Sequence, residues 1–120
     1  MTSKTPSLCR RLRIFPVFLL CLINLGAEKK RTVVLTFDDS VASQATFVAP
    51  LLKKYGFGAT FFITEGFGFA KDKKHYMTWE QIKKLHADGF EIGNHTHHHA
   101  SVARQKIEDL RADIIYIEKQ

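Results

Sequence analysis

Two short stretches of the chain carry residue types able to do hydrolytic chemistry. The first is Asp38-Asp39-Ser40, directly after Phe37, and the second is Asn94-His95-Thr96-His97-His98-His99, directly after Gly93. His95 and His99 are four residues apart, a spacing that on one helical turn puts both rings on one face, where they can grip a single ion. Adjacent carboxylates at a strand end point different ways, so one of Asp38 and Asp39 can bind a cation while the other takes another task. Two imidazoles and a carboxylate suit zinc and related divalent metals and leave a coordination position for water. Plainer readings stand beside these: Asp-Asp-Ser also makes a good turn or helix cap, and a His-rich loop can face solvent or capture metal adventitiously.

The elements that must position these residues follow from hydrophobic period and local punctuation. The β-branched and apolar run 32–37 predicts a buried strand ending at the paired aspartates. Residues 43–55 carry Phe47, Leu51, Leu52 and Tyr55 at helical spacing, with Gly56 placed to stop the helix and Pro50 to kink it or start a second, shorter one. A second buried strand is expected over 59–64, followed by a loop containing Gly66 and Gly68. Thr78 with Gln81 predicts a capping box for a helix through about Ala87, ended by Asp88-Gly89. Residues 90–93 form a third, short strand that opens into the histidines. Ser101 then caps a long helix in which Ile107, Leu110, Ile114 and Ile117 recur at steps of three and four.

Strand then helix, three times over, predicts an α/β fold with parallel strands joined by right-handed crossovers. Both candidate stretches then lie at the C-terminal ends of strands, where active sites of parallel α/β folds collect. Three units fall short of a closed barrel, so the expectation is a partial domain that leaves a strand edge and apolar helix faces uncovered.

The chain has 120 residues, is 45% apolar and 25% charged, and carries a formal +6. Residues 1–27 hold Lys4, Arg10, Arg11 and Arg13 and no acid; the remaining 14 basic and 12 acidic residues leave only +2. That balance, without a basic stripe, excludes nucleic acid as a charge-driven partner. The three arginines precede an apolar run over 14–25, and Gly26-Ala27 come just before Glu28-Lys29-Lys30-Arg31, the order of a secretory signal peptide. The run is too short to cross about 30 Å of hydrocarbon. Expected are a signal peptide at 1–27, a secreted, periplasmic or cell-envelope location, no stable membrane span after cleavage, and a mature segment 28–120. Both cysteines, Cys9 and Cys21, lie in the leader, so the mature segment relies on oxygen and imidazole rather than thiolate.

Thr36-Phe37-Asp38-Asp39, followed by Ala59-Thr60-Phe61-Phe62, Glu91-Ile92-Gly93-Asn94 and His95-Thr96-x-x-His99, resembles the polysaccharide deacetylase family, the NodB homology domain or carbohydrate esterase family four. The likeness runs from about Arg31 to the last residue and covers the family's first two catalytic motifs. It implies a partial (β/α) barrel of the polysaccharide deacetylase type and a metal-dependent hydrolase that removes N-acetyl groups from a glycan such as chitin or peptidoglycan. It implies Asp39, His95 and His99 as ligands of a divalent metal ion, zinc foremost, and Asp38 as the catalytic base. Ser40 departs from the glycine that the family usually places after the paired aspartates. The chain ends before the positions of the family's Arg-x-Pro-Tyr, Asp/Trp and Leu-x-His segments, the last of which supplies the general acid, so the expectation is a truncated domain. Two other outcomes stay open: an inactive remnant that binds metal or glycan, and a deacylase for a non-sugar amide.

The remaining features read more plainly. His75, His86 and the lysines at 71, 73 and 74 are expected at the solvated surface. His97 and His98 either support the ligands or face solvent. Phe61 and Phe62 are expected in the core, Trp79 at the helix start, and Phe67 and Phe69 as possible glycan contacts.

Overall fold

The computed structural model describes residues 31–120; the expected leader at 1–27 lies outside the described residues. Three strands form one parallel sheet in the order β1-β2-β3, with β1 at Thr36–Phe37, β2 at Thr60–Ile63 and β3 at Glu91–Asn94. Helix α1 (Ala49–Tyr55) links β1 to β2, α2 (Trp79–Ala87) links β2 to β3, and α3 (Ile107–Glu118) follows β3. The three βα units are therefore present.

β2 carries the core because it alone has neighbours on both sides. Phe61 and Ile63 are fully buried, and the Phe61 ring stacks on Phe37 at 5.2 Å and meets Phe90 edge-on at 5.3 Å. Ala49 and Leu52 of α1, Ile82 and Leu85 of α2, and Phe69 and Met77 of the intervening loop pack around them. Emptying the Phe61 position would cost about 3–5 kcal/mol.

The first strand is shorter than its pattern suggests. β1 pairs with β2 only at Thr36 and Phe37, while Val33 and Val34 are exposed at 73% and 78%. β1 is an edge strand, so a β-branched run here has one partner at most.

Pro50 acts one turn before itself. A π-helical segment at Gln44–Val48 runs directly into α1, and the Ala49 amide bonds to the Gln44 carbonyl. The widened turn accommodates a proline, which lacks the donor for an i−4 bond and would crowd the carbonyl of Thr46. It also turns the helix relative to its expected apolar face: Leu52 is buried, but Phe47, Leu51 and Tyr55 are exposed. Gly56 stops the helix in the left-handed region, with φ of 69°.

The Thr78 capping box forms as expected. The Thr78 side chain accepts from the Gln81 amide, the Gln81 side chain accepts from the Thr78 amide, and Gly89 leaves the helix at φ of 93°. Ser101 caps no long helix; it precedes a single 3-10 turn at Val102–Arg104, and α3 starts after Lys106. On α3, Ile117 and Asp113 are buried, whereas Ile107 and Ile114 face outward. Among the described residues, no helix is long and apolar enough to cross a membrane.

Candidate active site

The site forms where the tips of the three strands meet. Asp39 and Ser40, just past β1, both take positive φ, 70° and 55°, which reverses the chain. Non-glycine residues hold that conformation only when the surroundings over-determine it. Here the buried Ser40 Oγ donates to the Thr64 carbonyl at 2.8 Å and accepts from the Thr64 amide at 2.9 Å, tying the end of β1 to the end of β2. Its backbone carbonyl accepts from the Met77 amide, and the Ala42 amide donates to His75, so the long loop after β2 is fastened to the same turn. The buried Gln44 side chain donates to the Asp38 carbonyl. Ser40 is thus the residue that holds this turn.

The histidines lie on a bend after β3 and not on a helical turn, so the reason expected for their convergence is corrected. Thr96 and His99 take φ of 64° and 52°, and that coiling brings His95 and His99 together. The bend is held from several sides. Asn94 Oδ1 accepts from the Thr96 amide, and Thr64 Oγ1 donates to the His97 carbonyl. Gly66 lets it approach, because a Cβ there would stand 2.8 Å from His99 Cβ and 3.0 Å from the His98 carbonyl oxygen. Gly93 makes room for Phe62, whose ring a Cβ would meet at 2.4 Å. Phe62 is accordingly half-buried under His95 and not part of the closed core.

Asp39, His95 and His99 converge. Asp39 Oδ1 is 3.5 Å from His95 Nε2 and 3.3 Å from His99 Nε2, and the two Nε2 atoms are 3.1 Å apart. Tetrahedral ligands at about 2.0–2.1 Å from a zinc-like ion would stand about 3.3–3.4 Å from one another. Asp39 Oδ1 is buried and makes no hydrogen bond, an arrangement that is costly for a carboxylate oxygen unless a cation takes the place of the missing donor. The three donors therefore fit a divalent metal ion. Asp38, the residue before Asp39, is exposed.

The other two histidines face away from this trio. His98 Nδ1 meets Asp113 Oδ1 of α3 at 2.7 Å, and His97 Nε2 lies 3.4 Å from Glu65 Oε2 while its ring stacks on Tyr116 at 3.7 Å. Burial works to raise the Asp113 pKa, but hydrogen bonds from His98 and Gln105 outweigh it and hold this carboxyl below its ordinary range. Glu65, just past β2, also accepts from Trp79 Nε1 at 2.7 Å and from the Tyr116 hydroxyl at 3.3 Å. The negative charge of Glu65 raises the Tyr116 pKa above 10.0.

The sequence reading did not single out Glu65 and Asp113. Asp113 had a signal: it lies three residues after Leu110 and four before Ile117, an acid on the face expected to be apolar. Glu65 had none beyond its place at a strand end. Phe67 and Phe69 part company. Phe69 is buried in the core, while Phe67 is exposed with its ring 4.6 Å from that of His99. Lys73 is less free than its lysine-rich loop suggested, since its ammonium donates to the Phe69 and Met77 carbonyls and lies over the Phe69 ring.

The model of the polysaccharide deacetylase family matches residues 26–119. The chain belongs to the polysaccharide deacetylase family. Within the family it is 32% identical over 91 residues to the peptidoglycan-N-acetylmuramic acid deacetylase PdaA of Bacillus subtilis, covering 75% of this chain and 32% of that one. It is 33% identical over 89 residues to a peptidoglycan-N-acetylglucosamine deacetylase of Bacillus cereus, covering 73% and 38%. Among solved structures it resembles the Streptococcus pyogenes deacetylase PplD in complex with acetate, with a TM-score of 0.64 at 26% identity over 77% of this chain and 42% of that one. The chain thus spans about a third of the length of these curated relatives. The fold is a partial α/β barrel of the deacetylase type.

Proposed function

We propose that this chain carries the metal-binding part of the active site of a hydrolase that removes N-acetyl groups from a glycan of the chitin or peptidoglycan kind. The observation that carries the reading is the buried, unpartnered Asp39 Oδ1 facing two imidazole nitrogens 3.1 Å apart. Asp39, His95 and His99 would hold a divalent ion, with zinc favoured by the nitrogen and oxygen donors. When bound, such an ion supplies Lewis acidity toward the amide carbonyl and the attacking water. Asp38, exposed and adjacent in sequence to Asp39, would accept the proton of the attacking water on a carboxylate oxygen, a role that typically contributes about 10²–10⁴-fold. Phe67, whose ring abuts His99, offers an apolar face at the rim for the sugar. Protonation of the leaving amine is assigned to none of the described residues, since His97 and His98 are engaged with Glu65 and Asp113. The basic and apolar order of residues 1–27 fits export to the cell envelope or beyond, where such glycans lie.

The test is acetate release from N-acetylglucosamine oligomers, with a non-sugar acetamide in parallel, by the protein that carries this segment. The expected result is release from the sugar substrate that is lost on chelation and in Asp39→Ala and His95→Ala. Normal release by either variant would overturn the reading; release from the non-sugar amide alone would reassign the substrate.

A further inference from the structure

Phe67 holds a backbone conformation that its own side chain makes costly. Its φ is 58°, in the left-handed region, where a bulky residue is rare and strained. It is the first central residue of a turn closed by the Phe69 amide on the Gly66 carbonyl at 3.3 Å, a place whose positive φ ordinarily falls to glycine. Gly68, one position later, does not take positive φ; a Cβ there would stand 2.9 Å from the Tyr76 ring. Burial does not account for Phe67 either, since it is 63% exposed. A strained and exposed aromatic residue points to a task outside the core.

The task lies in what the ring touches. It stacks on Tyr76 with centroids 6.4 Å apart and planes at 11°, and it meets the His99 ring at 4.6 Å and 42°. His99 lacks other support. It is exposed, and among the described residues its ring has no polar contact beyond its approaches to Asp39 and His95. A metal-binding imidazole is usually oriented by a hydrogen bond on its other nitrogen, so here packing must do that work. His95 has its own aromatic neighbour in Phe62, which Gly93 admits. We propose that Phe67 is a positioning residue whose ring holds the His99 imidazole facing Asp39 and His95, with backbone strain accepted to place it there. The inference rests on the reading of Asp39, His95 and His99 as cation ligands, and it gives Phe67 a role that needs no sugar. An exposed ring held in place beforehand loses less rotamer freedom when the cation binds.

The experiment is cobalt(II) titration of the untagged protein that carries this segment, read in visible absorption, with thermal melting in EDTA as the measure of fold. Phe67→Asn and Phe67→Gly suit a positive φ and remove the ring, while Phe67→Tyr keeps it. Phe67→Asn and Phe67→Gly should bind cobalt about 10-fold more weakly than the native protein, the low end of the range for lost ligand orientation, yet melt no lower without metal. Phe67→Tyr should keep native affinity. Native affinity in both ringless variants would overturn the inference and leave Phe67 only its contact with the sugar. Weaker binding that comes with a lower melting temperature in both would also overturn it, by making Phe67 a support of the fold. Cobalt binding by the native protein that survives Asp39→Ala would instead count against the trio, and the inference would fall with it.

Discussion

Ser40 and Thr64 are joined by two hydrogen bonds through one hydroxyl, which donates to the Thr64 carbonyl at 2.8 Å and accepts from its amide at 2.9 Å. Twenty-four residues apart in sequence, they hold the ends of the first two strands at the distance that lets Asp39 reach the histidines. The bond pair does for the backbone what a third rung of the β1-β2 ladder would do, at a place where the chain has already turned away from the sheet.

Ser40→Ala should therefore destabilise the chain by about 1–3 kcal/mol, because it leaves a buried amide and a buried carbonyl unsatisfied. The φ of 55° would remain, with the same Cβ cost. Ser40→Gly loses the same bonds but relieves the left-handed strain, worth about 1–2 kcal/mol, so it should lie between Ala and native. Thermal or urea unfolding of the three proteins checks the order. An alanine variant as stable as the native chain would show that the bond pair is not holding the turn.

Gly66 sets the approach of the histidine bend. The atoms that a new Cβ would strike are the Cβ of His99 and the carbonyl oxygen of His98, neither of which is the free end of a flexible side chain. Gly66→Ala should thus shift the bend and weaken cation binding at Asp39, His95 and His99 by about 10–100-fold, the range seen when groups that orient ligands are disturbed. Gly58→Ala is the control: a Cβ there meets nothing within 4 Å, and metal affinity should hold. Titration with cobalt, read in its visible absorption, separates the two.

Much of this site was legible in the residues themselves, and the unread part has a common cause. That one carboxylate of Asp38-Asp39 meets His95 and His99 follows from donor chemistry placed at strand ends. The choice of Asp39 came from the family resemblance, and Thr78-Gln81 and Gly56 act through local rules that need no tertiary knowledge. What misled was the choice of face. Leu51 and Tyr55 share a helix with Leu52, yet a π turn before Pro50 rotates them outward, and a period count cannot register a single widened turn. Ile107 and Ile114 follow the apolar stripe of α3, but the helix rests on Ile117 and on Asp113, whose partner His98 comes from a bend fifteen residues earlier. The histidines converge for a reason that no spacing rule contains, namely two left-handed residues within one short bend.

Stability should also respond to acid through Asp88, the residue that ends α2. An acid at a helix C-terminus opposes the dipole, and here hydrogen bonds from Lys53 at 2.8 Å and Lys84 at 2.9 Å more than compensate, holding its pKa below the ordinary 3.8. A depressed folded-state pKa means that the contribution is present above 3.8 and is lost as the pH falls through the depressed value. Asp88→Asn should melt slightly below the native chain at neutral pH, and the two curves should converge in strong acid. Because the pair is solvent-screened the gap should be small, and salt should narrow it. Parallel melting curves across the whole pH range would mean that the lysines contribute nothing through Asp88.

Glu65 makes the last prediction, and it reads out the architecture beside the site without any metal. Its carboxylate stands 3.3 Å from the Tyr116 hydroxyl, and the repulsion between that charge and a phenolate is the main reason the tyrosine titrates above 10.0. Glu65→Gln keeps the shape and an acceptor for Trp79 Nε1 but removes the charge. Tyr116 should then titrate closer to 10.0 in an alkaline absorbance titration. The chain has three tyrosines, so Tyr116→Phe identifies which component moves. An unchanged curve would place Glu65 out of reach of Tyr116.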